Sequence, residues 1–266
     1  DLVDQGQGPL TPAPEAILIQ ELTIGDQTPL WACAYDSRGL LYVLYELTER
    51  ITAQSVPALY KPTQEEPAIK LRGVLDFIPS ERLKNGWTLE RDYWQSFFAM
   101  LIRNRFNCFT LVFNSSSGTP VFPYLLSVPE HPEVNLFPLP EAVRAGNLQV
   151  LKELSELASD SGLDFHLGLW NYYPGYPPLP FRVPGVNPEN IGAYLYRSLK
   201  QLIFACPEIK GLEFKFQRAP LEPDFAFSSI VQAVLDTGNK LTLKFYTNQL
   251  TTDVIDLLQV SEVNTF

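Results

Sequence analysis

The chain of 266 residues is 45% hydrophobic and 19% charged, the composition of a globular protein and not of a disordered one. Its formal net charge of −10 argues against a nucleic-acid or anionic-membrane surface, since both need clustered Lys and Arg. No apolar run reaches the ~18–20 residues of a membrane-spanning helix.

The chain begins at Asp1 with no Met and no signal-like segment, which reads as a processed or partial chain. Residues 1–14, "DLVDQGQGPLTPAP", form a Gly/Pro/Asp-rich lead-in. "AILIQELTI" then alternates as a strand does, and "PLWACAY" is strand-like. In "DSRGLLYVLYELTERI", Asp36 or Ser37 can cap a helix that follows Gly39. There Leu40, Leu41, Leu44, Tyr45, Leu47 and Ile51 recur at helical spacing. Residues 15–54 are a small α/β layer, and 55–69, "SVPALYKPTQEEPAI", read as the linker out of it.

From residue 70 the pattern alternates. Strands are expected near 71–77, 108–114, 163–170, 210–217, 241–247 and 262–266. Helices are expected near 90–106, 141–161, 189–205, 224–237 and 251–259. Such alternation implies a parallel sheet with crossover connections. The 23 prolines cluster in 119–140 and 174–188, long ordered loops beside a scaffold. Cys33, Cys108 and Cys206 have no CxxC spacing. They give neither a disulfide framework nor a zinc pattern, and they read as packing residues.

The strands themselves discriminate between α/β folds. An open sheet covered by helices on both sides needs strands that are apolar throughout. In "KLRGVLDFIP", Arg72, Val74 and Asp76 fall opposite Leu71, Gly73, Leu75 and Phe77. In "GLDFHLGLW", Asp164, His166, Gly168 and Trp170 oppose Leu163, Phe165, Leu167 and Leu169. In "GLEFKFQ", Glu213, Lys215 and Gln217 oppose Leu212, Phe214 and Phe216. In "LTLKFYTN", Thr242, Lys244, Tyr246 and Asn248 oppose Leu241, Leu243 and Phe245. Each greasy face needs helices, so the polar faces must meet one another. A closed barrel does that. The fold expected is therefore a (β/α)-barrel of the TIM type, incomplete, with five to six strand–helix units over 70–266 and a small α/β domain before it. The absence of GxGxxG and GxxxxGK[ST] agrees.

These segments resemble known proteins. "LRGVLDFIP", followed by a helix ending "FFAMLIRNRFNCFTLVF", is similar to the first βαβ unit of glycoside hydrolase barrels. It resembles family 67-like alpha-glucuronidases, and family 20 beta-hexosaminidases share the "RG…LD" opening strand. "DSRGLLYVLYELTERI" looks like the helix of the small domain that precedes the barrel in both groups. "GLDFHLGLWNYYPGY" is similar to the third strand with its loop, and "IKGLEFKFQ" to the fourth.

The resemblance implies a sugar site built from aromatic walls and a few fixed polar groups. Arg72 would contact a sugar hydroxyl or carboxylate, with Asp76 holding Arg72. Trp170, Tyr172 and Tyr173 would form a stacking wall. Asn114, His166, Asn171, Lys215, Gln217 and Lys244 complete the expected substrate-binding set. Read structurally, Arg72–Asp76 is only a lumen salt bridge, Glu213–Lys215–Lys244 an ion network and His166 a satisfied lumen histidine. His131 lies in a solvated loop.

Glycosidases generally need two carboxylates across the scissile bond. Where family 67-like proteins carry an acid after the fourth strand, this chain reads "KFQRAPLEPDF", with Gln217, Arg218 and Ala219. Glu222 is the candidate general acid if the loop bends it back, and no partner carboxylate is identified. Three readings follow: a hydrolase of uronic-acid or hexosamine-containing glycans, a degenerate glycan binder, or a structural subunit whose protein partner covers the open barrel edge. The sugar ligand is the expected partner. No cofactor, metal, nucleic acid or membrane span is implied. The acidic balance suits a secreted or periplasmic setting.

Overall fold

A computed structural model describes residues 12–53, 61–78, 82, 85–113, 126–134, 140–170, 185, 187, 189–215 and 223–245. The chain divides into two compact units. The first is Asp1–Gly73, Gln95–Asn107 and Ser161–Leu163; the second is Val74–Trp94, Cys108–Asp160 and Asp164–Phe266.

The first unit holds strands β1 (Ile17–Glu21) and β2 (Leu30–Ala34), helix α1 (Ser37–Thr52) and strand β3 (Thr63–Glu65). The sheet order is β2-β1-β3, and β1 pairs antiparallel with both neighbours. As the central strand, β1 buries Ile17, Leu18 and Ile19. Between β1 and β2 the chain reverses at Ile24–Gln27, where Gly25 adopts φ +61°, a conformation that glycine takes without steric cost. Asp36 caps α1, its Oδ1 accepting from the Gly39 N–H at 2.8 Å; its Oδ2 accepts from the Glu15 N–H. Such a cap is worth about 1 kcal/mol. Gly39 lets the helix lie close to the entry of β1 and the end of β2, since a Cβ there would sit 3.0 Å from the Ala16 carbonyl oxygen and 3.1 Å from the Ala34 Cβ. Strand β3 falls within the stretch read from sequence as a linker. Its three residues, Thr63, Gln64 and Glu65, are polar and carry no apolar alternation.

The second unit is built on strands β4 (Gly73–Ile78), β5 (Cys108–Phe113), β6 (Asp164–Trp170), β7 (Ile209–Lys215) and β8 (Thr242–Phe245). Helices α2 (Arg91–Arg103), α3 (Glu141–Asp160), α4 (Ile191–Ala205) and α5 (Pro223–Thr237) alternate with them along the chain, with Gln95–Arg103 of α2 counted in the first unit. Strand order follows chain order, β4-β5-β6-β7-β8, and β5 through β8 pair in parallel. Doubly wound sheets reverse strand order at a switch point; the described strands contain no such reversal, and the architecture is that of a partial α/β barrel. The expected strand 262–266 and helix 251–259 lie outside the described residues.

The alternation read from sequence is the one observed in the register. Val112, Gly168, Glu213 and Lys244 form one row across β5 to β8, and Thr110, His166, Gly211 and Thr242 form the row before it. The opposite face is apolar. Phe109, Leu111, Phe113, Phe165, Leu167, Leu169, Leu212, Phe214 and Leu243 are all buried there. Trp94 of α2 meets the Phe109 ring at 5.6 Å, and Phe109 meets Phe165 at 6.0 Å. Each fully buried side chain of this size contributes roughly 1.5–3 kcal/mol.

Strand β4 departs from the expectation that every greasy face meets helices. Leu75 and Phe77 are exposed. Among the described strands β4 is at the edge of the five-stranded sheet, with a neighbour on one side only, so of these a single flank supplies packing.

Candidate functional site

The polar face of β5–β8 carries the candidate site. His166 is 2% exposed, and the space for its imidazole comes from glycine. A Cβ on Gly211 of β7 would lie 2.8–2.9 Å from ring atoms of His166, closer than real Cβ contacts allow. Burial, reinforced by the Lys244 charge, pushes the His166 pKa down to about 3. The ring is therefore neutral at ordinary pH. Its Nδ1 is buried without a hydrogen-bond partner among the described residues.

One row further along, Glu213 and Lys244 face each other at 4.0 Å. The contact is loose for an ion pair, at the outer limit of direct attraction, so Lys244 keeps capacity to donate elsewhere. Cys108 of β5 belongs to the same face. Burial pushes its thiol up to about 11, although the Lys244 charge works the other way. The thiol is protonated and inert as a nucleophile. The face thus offers a neutral imidazole, a carboxylate, an ammonium group and the Thr110 hydroxyl. These are fixed hydrogen-bonding groups of the kind that hold a polar ligand.

Trp170 and Lys215 occupy paired register positions at the C-terminal ends of β6 and β7, the end where barrels carry their active sites. Asn114, Asn171, Tyr172, Tyr173, Gln217 and Glu222 lie outside the described residues.

Arg72 is placed differently from the expectation. It belongs to the first unit, and its partner there is Glu15, not Asp76. Arg72 Nη2 donates to Glu15 Oε2 and to the Tyr42 hydroxyl, Nε to the Arg105 carbonyl at 2.6 Å, and Nη1 to the Ile69 carbonyl at 2.6 Å. Asp76 Oδ1 accepts from the next backbone N–H, that of Phe77, at 2.8 Å. The lumen pair of Arg72 with Asp76 is therefore corrected: the arginine's fork is engaged at the base of its own strand. Glu15 also accepts from Arg38 at 3.0 Å and from Asn107 Nδ2 at 2.8 Å. Sequence reasoning missed Glu15, and its only local signal was an acid directly before a run of buried apolar residues.

His131 likewise has a partner, its Nδ1 lying 3.0 Å from Glu133 Oε1. Among the described residues no group of three His, Cys, Asp or Glu side chains is arranged to hold a metal. No helix of the described residues is long and apolar enough to cross a membrane.

This fold has solved counterparts among the glycoside hydrolases. A GH138 enzyme targeting pectin rhamnogalacturonan II superposes with a TM-score of 0.70 at 19% identity, covering 94% of this chain and 31% of that one. The GH20 beta-N-acetylhexosaminidase of Streptomyces coelicolor gives 0.56 at 11% identity, covering 96% of this chain and 60% of that one. A beta-N-acetylhexosaminidase of Bacteroides fragilis gives 0.52 at 15%, covering 87% and 52%. No family model matches the chain, and no curated protein matches it in sequence. The chain has a glycoside-hydrolase-like fold. It spans between about a third and three fifths of the length of these counterparts.

Proposed function

We propose that the chain is the glycan-binding part of a carbohydrate-active, glycoside-hydrolase-like protein. The observation that carries this reading is the set of polar groups in two successive rows, the buried neutral His166 in one and Glu213 with Lys244 in the next, on one face of a sequentially ordered parallel sheet. The fold's likeness to glycan-processing enzymes supports it. The glycan would lie against the C-terminal ends of the strands, with Trp170 and Tyr172 as the stacking wall and Asn114, Asn171, Lys215 and Gln217 as polar contacts. Uronic-acid or hexosamine-containing glycans are the substrate class we favour, as the alpha-glucuronidase-like and hexosaminidase-like motifs imply. Hydrolysis would follow acid–base chemistry with Glu222 as the acid and a second carboxylate across the cleft.

A second reading is favoured by one specific observation. The residues after β7 run Gln217-Arg218-Ala219 where the resemblance calls for an acid. A protein that binds a glycan without cleaving it fits that sequence.

Calorimetric titration with oligogalacturonides and with chito-oligosaccharides tests the binding, and release of reducing ends tests hydrolysis. Heat of binding lost in Lys244→Met and Trp170→Ala supports the site. Binding with no released sugar favours the second reading, and no binding to either glycan class removes both.

A further inference from the structure

Two connections that bear candidate glycan contacts are fastened to each other. Residues 114–140 join β5 to α3, and residues 171–190 join β6 to α4. By sequence, Asn114 falls in the first, and Asn171, Tyr172 and Tyr173 fall in the second. Both connections follow the C-terminal ends of parallel strands, the end on which barrels place their sites.

Glu133 is where they meet. Its Oε1 accepts from His131 Nδ1 in the first connection at 3.0 Å, and from Asn190 Nδ2 in the second at 3.1 Å. Asn190 Nδ2 also donates to the Gly185 carbonyl at 2.7 Å, and Asn190 Oδ1 accepts from the Asn187 N–H at 2.9 Å. One side chain therefore fixes the turn of its own connection and reaches the other. The bond from His131 first, joined by that from Asn190, holds the Glu133 carboxyl below its ordinary 4.5, so at neutral pH it acts only as an acceptor.

The backbones touch as well. A Cβ on Gly185 would overlap the Glu133 carbonyl group, and Gly185 adopts φ +89°, so glycine is the residue that allows this approach. To either side, the His131 ring meets the Tyr194 ring edge-on at 5.6 Å, and Glu130 pairs with Arg197 at 3.2 Å. Both of those partners belong to α4. Single exposed contacts are worth little to stability. Their effect here is on order: a ligand that touches two loops binds more tightly when the loops are held in place beforehand.

We infer, on the glycan-binding reading, that Glu133 is a positioning residue for the sugar site: its carboxylate braces the β5–α3 connection against the β6–α4 connection. Two readouts keep the brace and the glycan reading apart. Limited proteolysis followed by mass spectrometry reads the brace alone. Glu133→Ala should be cut within residues 126–134 roughly tenfold faster than the unmodified chain, at an unchanged urea midpoint. Calorimetric titration with oligogalacturonides and chito-oligosaccharides reads the positioning. Glu133→Ala should weaken binding roughly fivefold or more, and Glu133→Gln, which keeps an acceptor oxygen, should restore most of it. In a double-mutant cycle on affinity, Asn190→Ala should add little to Glu133→Ala. Unchanged cutting of Glu133→Ala overturns the brace. Faster cutting with undiminished glycan affinity overturns the positioning role, and so do additive losses in the cycle. An unmodified chain that binds neither oligosaccharide class removes the glycan reading and the positioning role with it, and the proteolysis then still decides whether the brace exists.

Discussion

Glu15 and Arg72 meet as an ion pair although 57 residues separate them in the chain. The carboxylate is 7% exposed and also serves Arg38, Tyr42 and Asn107. One buried acid thereby ties the start of β1, helix α1, the entry to β4 and the turn before β5 into a single unit. Breaking a fully buried pair costs about 3–5 kcal/mol, and here the part-buried Arg72 keeps its bonds to two carbonyls and the Tyr42 hydroxyl, so that figure is an upper bound. Glu15→Ala should lose stability up to that bound in urea denaturation. In a double-mutant cycle with Arg72→Ala, the combined loss should fall well short of the sum. Additive losses would show that the two side chains do not interact.

The same network fixes a pH dependence. Burial pushes the Glu15 pKa up, but the bonds from Asn107, Arg72 and Arg38 outweigh it, so the net shift is downward from 4.5. A lowered carboxylate pKa contributes stability that is present above the unfolded value and lost as pH falls through the folded one. His166 acts over a different window. Its pKa falls from 6.5 to about 3, so the unfolded chain takes up a proton that the folded one refuses. Stability should decline as pH drops below 6.5, continuing to about 3. Urea midpoints measured from neutral to acid pH check both. His166→Gln should flatten the upper part of the decline, and Glu15→Gln only the part below 4.5.

Much of the second unit was legible because most of its strands alternate. β6 through β8 each bury one apolar face, and period-two patterning identifies that from sequence alone, whereas β5 is buried on both faces and shows no such period. Helix α1 was legible from apolar residues at helical spacing, and of the two caps the sequence offered, Asp36 and Ser37, Asp36 is the one used. Long-range pairing was not. Facing residues on one strand suggested Asp76 as the partner of Arg72, because a sequence exposes local geometry and hides contacts made across the fold. β3 was hidden because three polar residues on a sheet edge carry no hydrophobic period. Nothing in the sequence marked Gly211 as the residue that makes room for His166, whose ring occupies the space its missing Cβ leaves. Leu75 and Phe77 read as core because alternation reports which face is apolar, not whether a neighbour covers it.

Arg72 itself separates the structural role from a role in ligand binding. Its Nε and both Nη atoms donate within the first unit. Arg72→Lys keeps the charge but loses the fork that reaches Glu15 and two carbonyls together. It should lower the denaturation midpoint while leaving the affinity of any glycan bound by the folded protein within twofold or so, about 0.4 kcal/mol. Calorimetric titration of the folded variant reads the second quantity. A stable Arg72→Lys protein with binding abolished would return Arg72 to the ligand site.

The contact between Gly211 and His166 gives the sharpest local test. A methyl group at Gly211 would press on the imidazole at 2.8 Å, and both residues sit in the packed interior of the sheet's polar face. Overpacking of this kind costs typically about 1–3 kcal/mol. Gly211→Ala should therefore destabilise the protein by that amount in urea denaturation. The cause is the ring and not the backbone, because Gly211 pairs in register within β7, a conformation that alanine adopts freely. Truncating the ring should remove the clash. In the His166→Ala background the same Gly211→Ala change should cost little, since the methyl group then enters the space the imidazole vacates. An equal cost in both backgrounds would mean that glycine is required there for another reason, and His166 would not be the residue it accommodates.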